Sequence, residues 1–192
     1  MQVRTVVHLS SYAELAVRLA NTADQADGEP DSLSSMTACA ETFSDCISAT
    51  VTRRDLAVLT YLRSEFTEIF TAAATGNDQA AIARLNALLV QFPIQPELVS
   101  HDDQRWHVHL AAQGSASDQF AAGAIIGLAL TISGYGISRF GICAIASCPR
   151  VFLDSSPNRS RRYCAEHGAR GNVRTLRTPP AVVQGHATPA AS

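Results

Sequence analysis

The chain has 192 residues, 46% of them hydrophobic and 17% charged, with a formal net charge of −2. These values exclude a collagen-like, coiled-coil or wholly disordered protein, and a chain this long supports one core of ordinary size, or one core with a small satellite module. The bulk charge argues against nucleic acid, but it conceals a division, because all 15 basic residues are arginine. Between Arg139 and Arg177, eight arginines stand against Asp154 and Glu166, which gives +6; elsewhere seven arginines stand against fifteen acids, which gives −8. An acidic larger part therefore carries a basic smaller part.

The opening MQVRTVVHLSSYAEL lacks the apolar run of a signal peptide, so export is not expected. The most apolar stretch, 121–132 (AAGAIIGLALTI), is shorter than the ~20 residues that cross a bilayer. It reads as a buried helix, and no membrane segment is expected. Five cysteines, an odd number, argue against a disulfide framework and for a reducing cytoplasm, where clustered cysteines hold metal.

In chain order, Ser11-Tyr12-Ala13-Glu14 has the form of a capping box and predicts a helix through Leu15 and Leu19 to Asn21. A loop over 23–31, with Gly28 and Pro30, precedes a second helix whose stripe is Leu33, Met36, Cys39, Phe43 and Ile47. Cys39 and Cys46 lie near that stripe and read as core thiols. A third helix is predicted from Arg53–Asp55 to Ala74 and a fourth, capped by Asn77 or Asp78, through Leu85, Leu88 and Phe92, which makes a helical hairpin. Pro93 and Pro96 break this pattern. Trp106, Val108 and Leu110 then alternate with Arg105, His107 and His109 as in a half-buried strand, paired with 97–100 across a turn at Asp102-Asp103. His107 and His109 share a strand face and read as solvent-facing side chains. A last helix is predicted from Ser117 or Asp118 to Ser133, ending at a Gly134-Tyr135-Gly136 hinge. Residues 1–135 hold no nucleophile elbow, phosphate loop or HExxH, and no catalytic residues are identified.

Beyond the hinge come Cys143-x4-Cys148, fifteen intervening residues, and Cys164-x2-His167. Two short-spaced pairs separated by enough chain for a hairpin are what a tetrahedral zinc ion requires, since both pairs approach the metal from opposite sides. The intervening segment predicts a strand over 151–153, a turn over 155–158 and a returning strand over 159–163, with the second pair opening a short helix. That is the general form of a treble clef. Four protein ligands, Cys143, Cys148, Cys164 and His167, make a closed structural Zn2+ site, and the ion supplies folding energy that so small a segment lacks.

The run Phe152-Leu153-Asp154-Ser155-Ser156-Pro157-Asn158-Arg159-Ser160-Arg161-Arg162-Tyr163-Cys164 behind the first cysteine pair resembles the CGNR zinc finger of bacterial, especially actinobacterial, proteins. Upstream, the run from Leu15 to Asn21-Thr22, the Asp55-Leu56-Ala57 helix start, Ala83-Arg84-Leu85-Asn86 and the strand around Trp106 are similar to the helical ABATE domain of the same family. The resemblance implies a cytoplasmic zinc-binding protein described as a stress-induced transcription regulator. The sequence departs from the family pattern after Cys164: a fourth cysteine is missing, Gly168 stands in its place, and His167 is the chemically competent substitute.

The fold class expected is mainly α: a helical domain with a small β-hairpin over 1–136, a treble-clef-like zinc finger over 137–177, and a disordered tail over 178–192. Arg159, Arg161 and Arg162 on the hairpin and Arg170, Arg174 and Arg177 beyond it are the candidate contacts to double-stranded DNA, since guanidinium groups bind phosphate bidentately. The competing account docks these arginines on the acidic part. The leading functional expectation is a regulator with a small-molecule effector or a homodimer interface in its helical domain. The alternative is a small-molecule-binding protein or enzyme of specialised metabolism in which the finger is a scaffold.

Overall fold

The computed structural model describes residues 9–23, 31–44, 50–99, 107–111 and 114–168. In chain order these form α1 (Leu9–Ala20), α2 (Met36–Thr42), α3 (Arg53–Ala74), α4 (Asp78–Gln91), β1 (Glu97–Val99), β2 (His107–His109), α5 (Ala116–Tyr135), a 3-10 turn (Ile137–Arg139), β3 (Phe140–Ile142) and β4 (Val151–Leu153). The protein is mainly helical with two small antiparallel β-ribbons, as its sequence implies.

Local chemistry starts the long helices. Thr52 and Asp55 cap α3 reciprocally, Asn77 accepts from Ala80 N–H at the start of α4, and Ser115 with Asp118 caps α5. The helix start expected at Ser11 is not observed there: Leu9 and Ser10 are already helical, so Ser11 lies within α1. α5 is also longer than its apolar centre, and at 20 residues it is long and apolar enough to cross a membrane by length and composition. Its location decides otherwise for this fold, because Phe120, Ala121, Ala124, Ile125 and Leu128 lie fully inside the core. α5 crosses α1 so closely that a Cβ on Gly127 would stand 2.3 Å from the backbone nitrogen of Ala13. Only glycine permits that crossing.

The α3–α4 hairpin forms as expected, with Leu59, Leu62, Phe66, Ile69 and Phe70 buried on one side of α3. Phe43, from the end of α2, meets Phe120 edge to face at 5.0 Å. Cys39 is a buried core thiol, whereas Met36 of the same expected stripe is exposed. Ile47 and Cys46 lie outside the described residues. β1 and β2 pair antiparallel with Leu98 opposite Val108. Both are exposed, at 63% and 47%, so the half-buried strand expected from alternation is not realised. Alternation gives a ribbon two unlike faces without supplying the layer that covers one of them. Trp106 and the Asp102-Asp103 turn lie outside the described residues, as do the His107 and His109 side chains.

The C-terminal ribbon is seated on the helices. Phe140 of β3 stacks on Phe70 of α3 at 4.7 Å, and Phe140, Val151 and Leu153 belong to the same buried cluster as α1, α3 and α5. The expected hinge at 134–136 is a fixed corner: Gly136, at φ 86°, donates its N–H to Ile132 O at 2.9 Å, and the chain passes through the 3-10 turn straight into β3.

Candidate metal centre and basic groove

β3 pairs with β4 in the register Phe140–Leu153, Gly141–Phe152 and Ile142–Val151. Gly141 lies under the Phe152 ring, where a Cβ would stand 2.5 Å from the ring carbons. The ribbon thus folds across the first cysteine pair, and the returning strand expected over 159–163 does not form. The connection 143–150 is a tight knuckle, closed by Cys143 N–H to Arg150 O at 2.9 Å and Cys148 N–H to Ile145 O at 2.9 Å. It turns the chain back by itself, so β4 finds its partner upstream. Ala144 N–H donates to Arg162 O at 2.8 Å, which brings the second pair alongside the knuckle. Cys164 then opens one helical turn over 165–168, and His167, three residues on, comes round to the same side.

The Sγ atoms of Cys143, Cys148 and Cys164 and one ring nitrogen of His167 all lie within 4.8 Å of one another. His167 Nδ1 is 3.4 Å from both Cys143 Sγ and Cys164 Sγ, and Cys148 Sγ is 4.0 Å from Cys164 Sγ. Tetrahedral bonds of ~2.3 Å to sulfur and ~2.0 Å to nitrogen imply donor separations of about 3.5 to 3.8 Å. The three separations of 3.4, 3.4 and 4.0 Å lie close to those values and the rest stay within 4.8 Å, so the quartet could hold a metal ion, and three thiols with one imidazole are a borderline-soft set. The three cysteines are buried under Tyr163. Burial pushes the Cys143 thiol up, but the backbone N–H groups of Cys164 and Ile145 and the His167 ring outweigh it and bring it down to about 7. Burial and the neighbouring thiols push Cys148 up to about 11.

A second arrangement surrounds Asp154, a residue the metal spacing does not reveal. Its carboxylate is buried and accepts from Ser156 N–H at 2.8 Å and Arg161 N–H at 3.1 Å. Burial opposes its charge, yet these bonds and the nearby Arg139 hold its pKa below the ordinary aspartate range. Arg139 donates to the carbonyls of Asp154 and Ser156, at 3.0 and 2.5 Å. Arg161 donates to Leu153 O and Tyr163 O, at 3.0 and 2.9 Å, and its guanidinium lies 5.1 Å from the Phe152 ring centre. The signal was an aspartate two residues before a serine in a turn, an Asx-turn pattern.

The candidate DNA contacts therefore divide. Arg161 is half-buried and committed to the finger's own backbone; Arg159 and Arg162 are exposed. Arg159 sits at φ 51° in the turn and donates to Ser138 Oγ at 3.1 Å. Arg139, Arg159, Arg161 and Arg162 line a groove of about 270 Å3 whose one carboxylate among the described residues is the buried Asp154. Arg150 pairs with Glu166 inside the finger. The hydrogen bonds of Arg139, Arg159 and Arg161 go to atoms of the 137–163 segment, while the Arg161 charge also attracts Glu14 of α1, so docking on the acidic helices describes Arg161 in part. Arg170, Arg174 and Arg177 lie outside the described residues.

Comparison with protein families matches residues 13–132 to ABATE, "Putative stress-induced transcription regulator", and residues 139–178 to the CGNR zinc finger, in that order. Comparison with curated proteins finds no match.

Proposed function

Since the chain belongs to the ABATE family and carries a CGNR zinc finger after its helices, we propose that it is a zinc-dependent transcription regulator whose finger grips the phosphate backbone of double-stranded DNA. The observation that carries this reading is the joining, in one small module, of a four-donor cluster to a groove with two exposed arginines and, among the described residues, no exposed carboxylate in its wall. Zn2+ is held by Cys143, Cys148, Cys164 and His167. Bound there it acts as a cross-link, since four protein ligands leave no position for a substrate.

The residues around it prepare the surface. Asp154, Arg139 and Arg161 fix the turn 154–161, and that turn carries Arg159 out to solvent beside Arg162. Arg170, Arg174 and Arg177 extend the same positive charge along the chain, and the protein works in the cytoplasm, where its thiols stay reduced.

Electrophoretic shift of genomic fragments across a salt series tests this. Four to six neutralised phosphates give a logarithmic slope of about −4 to −5, and the double variant Arg159→Ala/Arg162→Ala lowers its magnitude by about 2. Salt-independent binding, or an unchanged slope in the variant, overturns the assignment.

A further inference from the structure

Arg159 Nη1 donates to Ser138 Oγ at 3.1 Å, and this bond joins two of the chain segments that line the basic groove, the turn 154–161 and the 3-10 turn. The groove's described lining holds four arginines and one aspartate, a balance of +3, and Glu14, which attracts Arg161, is not part of it. The segment that follows the finger, 169–192, adds three arginines and no aspartate or glutamate. Of the acids outside the described residues, none is next in the chain to a groove-lining residue. Charge of one sign in a concave surface concentrates anions.

The four arginines play unequal parts. Arg139 and Arg161 are committed to carbonyls of the finger, whereas Arg159 and Arg162 are exposed. The planar edge of a guanidinium takes two oxygens of one phosphate, so two exposed guanidinium groups match two phosphoryl groups. Successive phosphates of a DNA strand are separated by a sugar, but those of a free diphosphate share one bridging oxygen, and a groove of about 270 Å3 encloses both. Phe152 offers no stacking face to a base, since the Arg161 guanidinium lies 5.1 Å from its ring centre and Gly141 lies so close that a Cβ there would stand 2.5 Å from a ring carbon. Recognition in the groove therefore ends at the phosphates.

We propose that the groove binds a free diphosphate, as the inorganic ion or as the diphosphate group of a nucleotide, and that this anion competes with DNA for Arg159 and Arg162. The binding stands on the groove alone; the competition rests on the DNA reading.

Calorimetric titration of the zinc-loaded full chain with pyrophosphate at constant ionic strength is the first test. Pyrophosphate binds saturably, ADP binds within about threefold of it, and orthophosphate binds at least about tenfold more weakly. Arg159→Ala/Arg162→Ala abolishes the binding. Ala74→Glu, at the exposed last residue of α3, places a carboxylate in the groove's lining with all four arginines retained, and it weakens binding at least about tenfold, so a turn disturbed in the double variant does not blunt the test. No saturable binding in wild type overturns the site, as does equal binding in both variants, which is the mark of zinc chelation. The second test is DNA displacement: saturating pyrophosphate weakens DNA binding at least about tenfold, while sulfate at equal ionic strength changes it less than about twofold. DNA that stays bound overturns the competition. A chain that binds pyrophosphate but no DNA overturns the DNA reading and leaves the site in place.

Discussion

Asp55 organises the starts of two helices. One carboxylate oxygen accepts from Thr52 N–H at 2.9 Å and from Thr52 Oγ at 2.5 Å, and the other accepts from Ser117 N–H and Oγ at 3.0 and 2.8 Å. Burial opposes its charge, but these donors outweigh burial and hold its pKa far below the ordinary aspartate value. A carboxylate depressed by folding contributes stability that is complete above its unfolded pKa of ~3.9 and fades as pH falls toward the folded value. Urea midpoints measured from pH 6 to pH 2.5 should therefore fall at the acid end. Asp55→Asn should cost about 2–3 kcal/mol at neutral pH and flatten part of that acid dependence. At the same scale, His167→Ala should bind zinc at least about tenfold more weakly, read by competition with a chromophoric chelator, while His167→Cys retains it. Full zinc retention by the alanine variant would remove His167 from the ligand set.

Asn21 joins two elements by imitating a strand edge. Its side-chain amide donates to Val151 O at 3.0 Å and its carbonyl accepts Val151 N–H at 2.9 Å, so α1 pairs with β4 through one residue. Asn21→Ala leaves both backbone groups of Val151 without those partners and should cost about 2 kcal/mol. Faster hydrogen exchange at the Val151 amide than at amides of α3 locates the loss at the ribbon. Elements whose information is local were legible from residues alone: α3 and α4 follow from apolar spacing and from polar residues at their starts. The strand expected over 159–163 failed for a reason visible only in space. The Cys143–Cys148 knuckle already reverses the chain, and Arg139 and Arg161 tie the later segment to carbonyls instead of to a ladder.

In the whole molecule, helices and finger share one hydrophobic cluster that includes Phe70, Phe140, Val151 and Leu153. The cysteine–histidine site and the core are therefore linked, and on the proposed zinc site a chelator should lower the Tm of the entire protein by about 5 °C or more in a single transition. Two separate transitions, with the helical one unmoved, would show that the seam carries no coupling.

By itself the sequence determined the helical class, the cysteine–histidine quartet that comes together in the finger and the split of a nearly neutral chain into acidic and basic parts. Each of these depends on spacing or composition within a short stretch. Tertiary structure alone decided which arginines remain exposed and where the finger sits. Those depend on contacts between residues far apart in the chain, as between Asn21 and Val151, and no local pattern encodes which partner a buried donor will find.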